Sequence, residues 1–317
     1  MENEVNRTFT TDVAVTTPVS NNSSSKQVEI IKGVFSYLLF NYFLLFVAIV
    51  AAIFIPNLDL EDYGSLIALD VISSSVVAIV LMYLYKGLMI SDKEKIKEQG
   101  KQGIRKFFEM CLIGFLVFMG VKLLAGMLET TVFEIFGLEY ETSDNQSLIE
   151  EMTGSAPLLM AISACIMAPI NEELIYRGMI GKIIKNKKVF ITVSGLIFGL
   201  VHVTGSILLI FEIVAIGLIL DWMLNDTKMN KSDRILLSVT GIVTLLIICG
   251  GIYYFQFGNL LVKIQSLDVK EIIGSITYII MGLYLAHYYT KHNSILLNMG
   301  IHSLNNIFSM VILLFFY

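Results

Sequence analysis

Residues 34–55 read VFSYLLFNYFLLFVAIVAAIFI, without a single Asp, Glu, Lys, Arg or His. A hydrocarbon layer needs about 20 apolar residues to be crossed by a helix, and this run meets that length. No water is available there for backbone N–H and C=O groups, so the segment must satisfy them within itself as an α-helix. Comparable runs recur at residues 66–85, 107–128, 158–180, 235–257, 272–289 and 294–317. Residues 189–224 form one apolar run of about 36 positions, short of the about 40 that two full spans require. Val203-Thr204-Gly205-Ser206 supplies a turn that divides it into a short helix and a normal one. The expected fold is all-α, a polytopic transmembrane helical bundle with about eight or nine spans.

The composition agrees: 56% of the 317 residues are hydrophobic and 15% charged, too apolar for a soluble domain. A net charge of -5 excludes the basic character of a nucleic-acid-binding protein. Cys111, Cys165 and Cys249 sit apart in apolar stretches, which reads as small core residues, not a disulfide frame or zinc site. Residues 1–30, rich in Ser, Thr and Asn at their start, are expected to be a disordered cytoplasmic tail with no signal-peptide pattern. Residues 31–156 then hold the first transmembrane helices, and residues 157–317 a second, chemistry-bearing group. Lys93, Lys95, Lys97, Lys101, Arg105 and Lys106 follow the second span, and Lys182, Lys185, Lys187 and Lys188 follow the fourth. Cationic loops stay in the cytosol, so the expectation is a multi-pass protein of the cell membrane with its amino terminus inside.

Ionisable groups at bilayer depth are costly, and that makes them functional candidates. The fourth span reads Ala168-Pro169-Ile170-Asn171-Glu172-Glu173-Leu174-Ile175-Tyr176-Arg177-Gly178. A spacing of four puts Glu173 and Arg177 on one helix face as a charge-assisted pair, and Glu172 points to another sector. In the short fifth helix, Gly195 and Gly199 allow another backbone to approach closely, and His202 follows on the same face. The last span carries His302 and Asn306, again four apart. At about 1.5 Å per residue from the nearest basic loop, Glu172, His202 and His302 lie about 15, 21 and 16 Å deep. Three costly groups at similar depth are best accommodated by meeting around water. A carboxylate and an imidazole holding one water can deprotonate it, and a second imidazole with a carboxamide can donate to an oxyanion. Of the other polar positions, Asp70, Glu109 and Lys122 are expected to make polar pairs between helices, Tyr176 to pack, and His287 and His292 to be solvated.

The order Glu172-Glu173-x-x-x-Arg177, Phe198-x-x-x-His202 and His302-x-x-x-Asn306 resembles the CPBP intramembrane proteases. That is the Abi or CAAX-protease-like family, which includes type II CAAX prenyl endopeptidases. The resemblance implies that Glu172 with His202 activates water and that Glu173 and Arg177 organise the first glutamate. It further implies that His302 with Asn306 stabilises the oxyanion and that Phe198 shapes the substrate pocket. It implies an intramembrane endopeptidase acting on membrane-associated peptides or proteins, in peptide maturation or bacteriocin self-immunity. No cofactor is expected, because no His-Glu-x-x-His or other tight ligand pair occurs; zinc on Glu172, His202 and His302 is the alternative. The stretch between His202 and His302 is long for this family, which reads as a two-helix insertion near residues 206–257, with Glu212 and Asp221 structural. A non-catalytic immunity or adaptor protein and a proton-coupled transporter are the competing readings.

Overall fold

The computed structural model describes residues 23–140, 144–202 and 269–316. Among them the chain is helical throughout, with nine helices: α1 Ser23–Phe54, α2 Tyr63–Leu84, α3 Lys86–Glu98, α4 Gly100–Ile135, α5 Asp144–Ser155, α6 Pro157–Ile183, α7 Lys187–Val201, α8 Val269–His292 and α9 Ile295–Phe316. Six are long and apolar enough to cross a membrane, namely α1, α2, α4, α6, α8 and α9. They match six of the expected spans, and α7 is the expected short helix. The count of eight or nine rested also on spans within 207–224 and 235–257. Those spans, with the insertion, Glu212, Asp221 and Cys249, lie outside the described residues. Ile53, Phe54, Leu123, Leu124 and Phe315 are each at least two-thirds exposed, an apolar surface that only lipid or a partner can cover. The chain is a multi-pass membrane protein.

The expected tail needs one correction, since α1 begins at Ser23, inside the segment read as disordered. Once the apolar run is helical, extending it backwards avoids the cost of a new nucleus, and Glu29 and Lys32 support that turn with an i,i+3 pair at 3.7 Å.

Local chemistry sets the boundaries. Asp62 caps α2 by accepting the Ser65 N–H at 2.8 Å, and Asn186 caps α7 by accepting from Lys188 and Val189 at 3.0 and 3.2 Å. Gly137, at φ 65°, closes α4; the Leu138 N–H returns to the Phe133 carbonyl at 3.0 Å, the six-to-one bond of a Schellman end.

Helix α6 is central, packed by α1, α2, α7, α8 and α9, and residues 174–180 are all buried. It contains two wide π turns, Ser163–Met167 and Leu174–Met179. The first precedes Pro169, which has no N–H and whose ring crowds the carbonyl four residues back. There the Ala168 N–H reaches five residues back to Ser163, so the helix absorbs the proline by widening. Glu172 and Glu173 occupy the α-helical turn between the two π turns.

Candidate active site

Glu173 and Arg177 are both fully buried and pair at 3.3 Å, as their spacing predicts. An isolated charge there would be prohibitive, so the surroundings must finish the compensation. His302 Nδ1 lies 3.0 Å from Glu173 Oε1, and Asn298 Nδ2 donates to Oε2 at 3.2 Å. Arg177 donates to the Gly282 carbonyl at 3.1 Å and rests 4.7 Å over the Phe198 ring. Glu173 thus anchors α9 through His302 and Asn298, and Arg177 anchors α8.

Glu172 faces the other way, toward two imidazoles. His202 Nε2 and His302 Nε2 are each 3.8 Å from Glu172 Oε2. That oxygen is buried and makes no hydrogen bond among the described residues. The Nδ1 atoms of both rings are already engaged. His202 Nδ1 is 2.6 Å from the Phe198 carbonyl, and a carbonyl can only accept, so Nδ1 carries a proton and Nε2 presents its lone pair. His302 Nδ1 is committed to Glu173. A water oxygen about 2.8 Å from Glu172 Oε2 and from either Nε2, atoms 3.8 Å apart, would subtend an angle near 85° between them.

Phe198 lies among these groups, 4.5 Å from the His202 ring, 5.8 Å from His302 and 5.5 Å from Tyr176. Tyr176 is buried against Phe198 and Phe40, as expected of a packing residue. Asn306 is placed differently from its motif partners, with its amide donating to the Ala164 carbonyl in the first π turn at 2.7 Å. The five residues Glu172, Glu173, Arg177, His202 and His302, with Phe198, form one cluster, and Asn306 sits one turn further along α9.

Three neighbours escaped the sequence reading. Asn298 lies four residues before His302, so the pattern Asn298, His302, Asn306 was visible as one helix face. Tyr278 stacks on His202 with centroids 5.0 Å apart and planes 15° apart, and Gly282 supplies the acceptor for Arg177; neither has a local signal. Among the remaining polar residues, Asp70 bonds Ser163 between α2 and α6, and Lys122 bonds Ser309 between α4 and α9, as expected. Glu109 instead pairs along its own helix with Arg105 on an exposed face, because an i,i+4 partner was available without crossing to another helix. His292 is half-buried with its ring 4.2 Å from Tyr288, not solvated, since the α8–α9 turn folds it back; His287 is exposed. Cys111 and Cys165 are free and buried.

Residues 154–240 match the family model of the Rce1-like type II CAAX prenyl endopeptidases. This is the protease family to which the motif resemblance points. The Rce1-like match takes in Glu172, Glu173, Arg177, Phe198 and His202 and ends before His302, which joins the cluster through α9, and before Asn306. No curated protein and no solved structure matches the chain.

Proposed function

We propose that this chain is an intramembrane endopeptidase of the CAAX type that cleaves membrane-associated peptides or proteins with a glutamate-activated water. The reading is carried by the unpaired Glu172 oxygen facing His202 Nε2 and His302 Nε2 at equal distance. A water between Glu172 and His202 loses its proton to that pair as its oxygen attacks the scissile carbonyl. Glu173 and Arg177 hold His302 and the α6–α8 contact in register. His302 Nε2, when its ring carries both protons beside Glu173, and the uncommitted N–H of Asn306 donate to the oxyanion as the tetrahedral carbon forms. The proton then returns to the departing amine, and the peptide bond breaks. Phe198 walls the pocket, and the lysine-rich segments after α2 and α6 support an amino terminus in the cytosol.

Two imidazole nitrogens and a carboxylate oxygen are also ligand types that zinc takes, and its bound water would ionise near neutral pH. We favour the metal-free reading because the described residues hold no tight cluster of metal-ligating side chains.

The test compares wild-type protein with Glu172→Gln, which changes the acid and little of the shape. Membrane peptides that accumulate only in the variant define the substrate, and a quenched fluorogenic peptide built on one of them, with and without a farnesyl group, gives the rate in liposomes. The expected loss is about 10²–10⁴-fold in kcat, with unchanged thermal unfolding. Unchanged cleavage would remove Glu172 from the mechanism, and proton or solute flux without peptide product would assign the chain to transport. Turnover retained in a strong chelator supports the glutamate mechanism; loss restored by zinc supports the metal.

A further inference from the structure

Glu129 of α4 is a carboxylate at membrane depth, 6% exposed, which the mechanism above does not use. Its Oε2 accepts the N–H of Thr277 at 3.0 Å. Thr277 lies inside α8, where a helix serves its own N–H groups, so the contact is not required to satisfy that amide. It ties α4 to α8 at the residue immediately before Tyr278, the residue whose ring stacks on His202.

The approach of α7 to α8 makes this tie relevant to the site. A Cβ on Gly199 would lie 2.5 Å from the Ile279 backbone, and one on Gly195 would lie 2.8 Å from the Leu283 N. The two backbones are therefore in direct contact, with Tyr278 beside Ile279 and His202 one turn beyond Gly199 near Phe198. A single hydrogen bond, from Nδ1 to the Phe198 carbonyl, leaves the imidazole free to swing about it. The parallel Tyr278 ring removes that freedom.

We propose that Tyr278 is a positioning residue for His202, holding the imidazole plane so that Nε2 faces Glu172, and that Glu129 acts through it by anchoring α8 at Thr277. The inference rests on the reading of Glu172 and His202 as the water-activating pair. Neither residue touches the reacting atoms; both act on the geometry of one that does.

The experiment measures kcat and KM in liposomes, using the quenched fluorogenic peptide, for Tyr278→Leu, Tyr278→Phe, Glu129→Leu, Glu129→Gln and Glu172→Gln. A misaligned base costs turnover more than binding, so Tyr278→Leu is expected to lower kcat about tenfold and to change KM by less than about twofold. Tyr278→Phe keeps the stack and restores kcat. Glu129→Gln keeps an acceptor oxygen and retains most activity, and Glu129→Leu falls with Tyr278→Leu. The double Leu variant is no worse than either single one, because both remove the same constraint. Should Tyr278→Leu fail to insert, Tyr278→Met, flexible and of similar length, is read in its place. Wild-type kcat in the Leu or Met variant, or equal loss in Tyr278→Phe, overturns the positioning role. That result beside an inactive Glu172→Gln leaves the protease reading standing, whereas an active Glu172→Gln overturns both.

Discussion

Replacing Arg177 by Lys keeps the positive charge beside Glu173 and removes everything else the guanidinium does. The lysine ammonium can still meet the Glu173 carboxylate, but as a point charge it cannot at once serve the Gly282 carbonyl, 3.1 Å from Nη2, or lie flat 4.7 Å over Phe198. A hydrogen bond from a charged donor contributes about 1.5–3 kcal/mol, and a desolvated cation over an aromatic face about 2 kcal/mol. Polar contacts inside membrane proteins measure weaker, since the unfolded chain in lipid also finds partners, so about 2 kcal/mol is the expected loss. At about 2–4 °C per kcal/mol, thermal unfolding in detergent should fall by roughly 4–8 °C. Turnover should fall with it, because Phe198 and α8 both lose their anchor and both contact His202. A cycle with Glu173→Gln separates this from a general packing defect. Arg177→Met alone leaves a buried carboxylate uncompensated and should cost about 3–5 kcal/mol; the double Glu173→Gln, Arg177→Met should be less damaging than the sum of its singles. Wild-type melting and full cleavage in Arg177→Lys would refute the assignment of Arg177 as the link between α6 and α8. Strict additivity in the cycle would refute its pairing with Glu173.

Asn298→Ala withdraws the donor from Glu173 Oε2 and from the Leu285 carbonyl and should destabilise by about 1–3 kcal/mol, with kcat falling because His302 shares the same carboxylate; equilibrium unfolding and turnover check both. Gly199→Ala forces α7 away from the Ile279 backbone, 2.5 Å from the added carbon, at a cost of about 1–3 kcal/mol, and should lower kcat by displacing His202; a wild-type melting curve would show that α7 and α8 are not in backbone contact. The Ser65 N–H holds the Asp62 carboxyl below its ordinary range. Its folded value is the lower one, so its contribution is complete above the ordinary carboxylate value and is lost as pH falls through the lowered one. Melting temperatures of wild type and Asp62→Asn should therefore differ near neutral pH and converge in acid, and parallel curves would deny the cap its charge.

What could be read from the sequence was whatever carries a free-energy penalty in lipid. The apolar runs behind α1, α2, α4, α6, α8 and α9 are legible because the bilayer rejects any other use of them. Glu172, Glu173, Arg177, His202 and His302 are legible for the opposite reason, since each is tolerated only in company. The spacing of four paired Glu173 with Arg177 and turned Glu172 away, as the structure has it. Asn298 escaped because a carboxamide is cheaper in a helix than a charge and so stands out less. Tyr278 and Gly282 could not be read, because their importance arises only where α7 lies against α8, a contact between segments far apart in the chain.

The two glutamates, adjacent in sequence, have different surroundings, and the proposed reading gives them different roles. Glu173 is surrounded by Arg177, His302 and Asn298, so its charge is spent on holding helices together. Glu172 keeps a buried oxygen with no hydrogen bond among the described residues, 3.8 Å from the Nε2 atoms of His202 and His302, and in the proposed reading this is the acid that acts on water. The π turns on either side of the pair matter here. The first takes up the irregularity at Pro169, and between the two lies one α-helical turn holding both carboxylates. In the proposed reading, that turn sets an anchoring acid beside a reactive one. Substitution of Pro169 by Ala, which allows the first π turn to relax to an α turn, should therefore lower turnover through Glu172 while leaving the buried Glu173–Arg177 pair, and thus most of the stability, in place.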